Sequence, residues 1–233
     1  FLIIGIIASL FNWKLAFTIS PIFLIVLTPL VFKNFNLRII SSEKDNKFII
    51  NVLKMRDIWL LALTYFCYYS ISKGFLGWLP TYLTEKYGFK VPYSSFLSSG
   101  LLILSALGAL IGTWISKTKT SKKNVMKYSF TLTALIGILL FILEGPDLLL
   151  LSLFLFFLSF SEWFYFTLIP LIVNGKGVGT ASSIVDIMGY FGAILGTYLI
   201  GLLYDLKLPY DIIFIIFSLF SSLSLILVKS INI

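Results

Sequence analysis

Apolar runs long enough to cross a lipid bilayer recur along the whole chain, and no other feature narrows the fold as far. A spanning helix needs about 20 predominantly apolar residues. Runs of about that length, broken by charge, glycine, proline or asparagine, fall near residues 15–32, 57–84, 93–116, 127–143, 148–173, 178–204 and 209–229. A shorter apolar stretch over 1–11 precedes them. The expected class is an all-α polytopic membrane protein. Composition agrees: 12% of the 233 residues are charged, against about 25% in an average soluble domain. The opening stretch at Phe1 lacks the basic region of a secretory signal peptide, and it reads as the end of a helix belonging to a longer protein.

The connections are short except at 33–56, a polar segment carrying Lys33, Arg38, Glu43, Lys44, Asp45, Lys47, Lys54 and Arg56. Basic loop residues are retained in the cytoplasm. Thirteen of the 18 Lys and Arg fall on the side of 33–56, 116–127, Lys176 and Lys229. Only Lys14, Lys86, Lys90 and Lys207 fall on the other, and Lys73 lies inside a run. This asymmetry predicts a multi-pass protein of the cytoplasmic membrane, with the long loop and the C-terminus cytoplasmic. The net charge of +8 thus reads as loop charge and not as a nucleic-acid footprint. The Lys117-to-Lys123 cluster reads likewise as an anchor on the cytoplasmic side. Trp13, Trp59, Trp78 and Trp114 fall toward run ends, where amphipathic rings favour the headgroup region; Trp163 falls mid-run.

The chain contains no His and one cysteine, Cys67. A disulfide framework within one chain is therefore excluded. No zinc, haem or iron–sulfur ligand set is expected, nor a Ser-His or Cys-His nucleophile pair. The expectation is a non-enzyme with no cofactor and no metal.

Ionisable side chains inside a bilayer are costly, so those present are functional candidates by default. There are three: Lys73, Glu162 and Asp186. Lys73 lies 16 residues beyond Asp57, about 24 Å along a helix, which places it in the outer half; Glu162 and Asp186 lie nearer the midplane. Tyr65, Tyr69 and Lys73 recur at i, i+4 and i+8, with Tyr68 and Ser72 alongside, so one helical face presents hydroxyls and an ammonium. Such a face suits an anionic or polyol solute, because cationic and hydroxyl donors replace its hydration shell. The alternative is that Lys73 snorkels outward and the tyrosines only pack.

Glu162 is followed by Trp163, with Ser159 and Tyr165 nearby. A carboxyl in an apolar run is a candidate to take up and release a proton during transport; the alternative is a static ion pair with Lys73 or a hydrogen bond between helices. Ser182, Asp186, Gly189, Ala193 and Gly196 fall on one stripe. Small residues on a stripe let two helices approach closely, which assigns Gly189, Gly192 and Gly196 to packing and leaves Asp186 open between packing and ion coupling.

The segment Gly74-Phe75-Leu76-Gly77-Trp78-Leu79-Pro80-Thr81-Tyr82-Leu83-Thr84-Glu85 resembles the end of helix seven in the major facilitator superfamily. The W-x-P-T-Y-L ending is typical of its organophosphate:phosphate antiporters and anion:cation symporters. Trp13-Lys14-Leu15-Ala16-Phe17 looks like the W-R-x-x-F start of helix six. Gly179-Thr180-Ala181 with Gly189-Tyr190-Phe191-Gly192 resembles the start of helix eleven in the glycerol-3-phosphate transporter branch. The resemblance implies that residues 1–32 are the end of an N-terminal bundle (partial helix five and helix six), 33–56 the central cytoplasmic loop, and 57–233 the C-terminal six-helix bundle. Two positions depart from the branch. Ser72 stands where a phosphate-binding Arg is found, with Lys73 adjacent but rotated by about 100°, and Ser116 stands where the loop between helices eight and nine carries an Asp.

What the resemblance implies is one half of a two-bundle carrier with its solute site at the midplane, working by alternating access. The expected function is secondary active transport of a small organic anion, such as a carboxylate or a sugar or glycerol phosphate. The substrate-binding candidates are Lys73, Tyr65, Tyr69, Ser72 and Trp163; Glu162 and Asp186 are the candidates for proton coupling or ion pairing. Expected partners are the solute, a coupling proton or cation, the bilayer and the missing N-terminal half, with no nucleic acid. The alternatives are a proton-coupled sugar or drug carrier and, from another class, a non-transporting membrane sensor or structural partner with this fold.

Overall fold

The structure is a computed structural model that describes residues 46–116, 121–143, 148–209 and 211–232, with part of 14–29. The apolar stretch at 1–11 lies outside the described residues, and the run at 15–32 and the segment 33–56 are described only in part. Eight helices follow one another among the described residues: α1 (Asn46–Leu53), α2 (Arg56–Tyr87), α3 (Val91–Ser116), α4 (Lys122–Ile142), α5 (Leu148–Ser159), α6 (Phe164–Ile172), α7 (Val178–Asp205) and α8 (Ile212–Ser230). No strand occurs among the described residues.

Five spans are long and apolar enough to cross a membrane: α3, α4, α5 with α6 taken together, α7 and α8. The helix predicted over 57–84 is present as the 32-residue α2, but it is not among the five. Its tyrosines, serines and Lys73 dilute the apolar content that the other spans keep. Buried Thr64, Tyr65, Tyr68, Ser70 and Ser72 place much of that polarity inside the bundle. The C-terminal end of α2 is set by Gly88, whose left-handed backbone (φ 67°) lets its N–H donate to the Thr84 carbonyl, a glycine closure that spares a Cβ its steric penalty.

The run at 148–173, expected as one helix, is broken between α5 and α6. Across the break Phe160, Ser161, Glu162 and Phe164 donate N–H bonds to the carbonyls three residues earlier, so the chain tightens before resuming. Serine explains it. Ser159 Oγ donates to the Leu155 carbonyl and Ser161 Oγ to the Leu158 carbonyl, back-bonding that competes with the helical ladder and bends helices. The polar segment 33–56 also contains structure not expected there: α1, whose Val52 is 1% exposed and sits where a Cβ on Gly177 would meet it at 2.8 Å.

α2 packs most extensively against α7, α8 against α4 and α2, and α5 against α3 and α4. The α2–α7 contact is backbone-close. A Cβ on Gly192 would lie 2.1 Å from the Phe66 carbonyl oxygen, and one on Gly189 would lie 2.6 Å from the Tyr65 ring. The α3–α5 crossing repeats the device, with Gly108 and Gly112 against the carbonyls of Phe156 and Phe160. Where lipid is as apolar as the side chains, close approach and dispersion hold helices together. Serines add links between helices: Ser129 Oγ donates to the Phe157 carbonyl and Ser221 Oγ to the Phe130 carbonyl.

Candidate functional site

The turn in the broken span faces α2, and there the two oppositely charged candidates come together. Lys73 Nζ of α2 lies 4.0 Å from Glu162 Oε1 in the turn between α5 and α6. Neither is sealed: their side chains are 44% and 32% exposed. The ammonium also stands 5.5 Å from the centroid of the Tyr69 ring, within reach of cation–π attraction. A contact this long and this exposed holds the ammonium weakly, so an entering anion could compete for it.

Around the pair lies an aromatic cluster. Tyr65 contacts Tyr69 at 4.4 Å and Tyr165 at 4.5 Å between ring centroids. Tyr68 contacts Tyr165, and Tyr69 contacts Tyr190 of α7. The members differ in access: Tyr65, Tyr68 and Tyr165 are buried, whereas Tyr190 is 64% exposed. Of the five substrate-binding candidates, Lys73 and Tyr69 therefore lie on an accessible face. Tyr65 and Ser72 point into the bundle, at 2% and 6% exposure. The 100° rotation between Ser72 and Lys73 explains why neighbours in sequence face different surroundings.

Trp163, expected mid-span, lies there, in the turn between α5 and α6, and is exposed. Asp186 on α7 is half-buried, within electrostatic reach of Tyr65 and Tyr69, and forms no ion pair among the described residues. Gly189, Gly192 and Gly196 all face α2. Tyr165, Phe166 and Tyr190 join this cluster without having been singled out as candidates. Aromatic residues are so frequent here that their type carried no signal, and only the crossing of α2 with α6 and α7 brings them together.

The sequence profile of the Major Facilitator Superfamily matches residues 1–176. The chain belongs to the Major Facilitator Superfamily. Within it, the chain is similar to the hexuronate transporter of Bacillus subtilis (strain 168), with 25% identity over 227 residues, covering 87% of this chain and 54% of that protein. It is similar also to the probable sulfoacetate transporter SauU of Cupriavidus necator, with 27% identity over 171 residues, 69% of this chain and 40% of that one. A third relative is the lysosomal dipeptide transporter MFSD1 of Bos taurus, 25% identical over 193 residues, covering 78% of this chain and 41% of that protein. The chain thus spans about half the length of the curated relatives it matches. Membership in this superfamily and five membrane-capable spans make it a multi-pass membrane protein.

Proposed function

We propose that the whole protein is a secondary active carrier of a small organic anion, with Lys73 as the anion's partner and Glu162 as the proton-coupling carboxyl. The observation that carries this reading is the 4.0 Å approach of Lys73 to Glu162 at a break in a spanning helix. A solute carboxylate entering there competes with Glu162 for the ammonium, and displaced Glu162 is free to bind a proton. Broken spans are where carriers place their solute and ion sites, because the interruption frees backbone groups at membrane depth. The names of two relatives, a hexuronate and a probable sulfoacetate transporter, agree with an anionic solute. Ser72, standing where the organophosphate branch carries Arg, favours a carboxylate or sulfonate over a phosphate ester.

The cycle is alternating access between this bundle and a second one in the same protein, with the loop 33–56 and the C-terminus in the cytoplasm and the carrier in the cytoplasmic membrane. Asp186, close to Tyr65 and Tyr69 on α7, is a second candidate for ion coupling. The test is uptake of D-glucuronate by the whole protein in proteoliposomes. Replacing Lys73 with Gln is expected to weaken apparent affinity at least about tenfold, the loss of one charge-assisted contact. Unchanged affinity removes Lys73 from the site.

Two exposed aromatic residues, Tyr190 in the cluster and Trp163 next to Glu162 in the turn, favour a second reading, a proton-coupled carrier of a neutral sugar or drug. Uptake of a neutral solute that anions do not inhibit would select it. Binding without flux would select a sensor instead.

A further inference from the structure

The hydroxyl of Tyr68 is fully buried and makes no hydrogen bond among the described residues. Buried polar groups are almost always paired, because desolvation without a partner is costly. The groups nearest to it include Ser72 and Glu162, within reach of its hydroxyl, and the hydroxyls of Tyr65, Tyr69 and Tyr165. Of these, Glu162 is the strongest acceptor, and its ion pair among the described residues is the 4.0 Å contact to Lys73, too long to occupy its lone pairs as a hydrogen bond would. Glu162 also sits in the turn between α5 and α6, whose backbone bonds three residues back instead of four. The ring of Tyr68 is clamped between Tyr65, Tyr69 and Tyr165, so the carboxylate is the partner that must move.

We propose that the Tyr68 hydroxyl is the alternative partner of Glu162, a positioning group that donates its O–H to the carboxylate once Lys73 releases it. The inference rests on the anion-carrier reading only for what draws Lys73 away, namely the solute anion. The exchange then ties occupation of Lys73 to a shift of the Glu162 side chain, and it prevents the freed carboxylate from simply closing back on the ammonium. Tyr68 holds Glu162 and need not touch solute.

The test is a thermal-stability cycle on the whole protein in detergent, without solute. Tyr68→Phe alone removes an unpaired hydroxyl and is expected to leave Tm unchanged or slightly raised. Lys73→Met releases Glu162 to Tyr68, so adding Tyr68→Phe in that background is expected to lower Tm by about 3 °C or more, the effect of losing a hydrogen bond to a charged group. Equal shifts in the two backgrounds overturn the exchange. D-Glucuronate uptake by the wild-type protein separates this from failure of the carrier reading. Coupled Tm shifts without any saturable uptake reject the solute class and keep the exchange, whereas additive shifts beside normal uptake reject the exchange and keep the carrier.

Discussion

Gly196 of α7 lies so close to Ser70 of α2 that a Cβ at position 196 would stand 2.0 Å from the Ser70 carbonyl oxygen. The neighbour is backbone within a helix and cannot turn aside. From the other direction a Cβ on Gly74 would meet the Gly196 carbonyl carbon at 2.8 Å, so α2 and α7 press on each other through glycines on both.

This geometry predicts an order among Gly→Ala substitutions. Gly192→Ala and Gly196→Ala force α2 and α7 apart and are expected to destabilise by about 1–3 kcal/mol, the range for overpacking. Gly137→Ala is expected to cost less, because the atom nearest its Cβ is the Ser218 hydroxyl at 2.3 Å, the end of a side chain that can rotate. Gly77→Ala meets nothing within 4 Å and is expected to be neutral or slightly stabilising through helix propensity. Unfolding in mixed micelles checks the ranking; a Gly196→Ala protein as stable as Gly77→Ala would refute it.

The serine links between helices make a smaller prediction. Ser221→Ala removes a 2.8 Å bond to the Phe130 carbonyl between α8 and α4. The expected loss is about 0.6 kcal/mol, the mean for hydrogen bonds between helices in membranes. Ser129→Ala, which removes the bond to Phe157, should lose a similar amount, and the two should add if α4 is held independently on its two sides.

At the other end of α2 from Arg56, Lys86 pairs with Asp211, the residue just before α8, with side chains 20% and 15% exposed. Replacing Lys86 with Ala leaves Asp211 partly buried without its partner. The expected cost is about 1–3 kcal/mol, between values for exposed and buried pairs. Exchanging the charges, Lys86→Asp with Asp211→Lys, is expected to recover most of the loss in the same unfolding measurement.

For transport, Glu162→Gln keeps the size of the side chain and removes its charge. If Glu162 carries the coupling proton, the variant's uptake of D-glucuronate should become insensitive to an imposed pH gradient while downhill exchange of solute persists. Uptake that remains gradient-driven would move the coupling role to Asp186 or to another element of the protein.

The five spans were legible because crossing a bilayer requires sustained apolar length, a property that a linear scan measures directly. The family was legible in the order of short motifs, above all Trp78 to Leu83, and the profile match confirms it. The break at 160–163 was not legible. It contains neither Gly nor Pro, and the serines that back-bond there resemble others, such as Ser218, that bond the preceding turn inside an unbroken helix. The helix at 46–53 was hidden for the converse reason, since a short amphipathic segment carries no spanning signal.

What the sequence by itself determined was therefore the solvent: which stretches must be helical in lipid, and which few charges are expensive enough there to be worth examining. Which charges meet was decided by the tertiary structure. Lys73 lies on α2 and Glu162 in the turn between α5 and α6, and no periodicity links residues so far apart along the chain. The glycine-mediated approach of α7 to α2, the packing of α5 on α3 and α4, and the turn after Ser159 set how these elements face one another. Those features leave Lys73 and Glu162 facing each other on an accessible surface and turn Ser72 and Tyr65 inward.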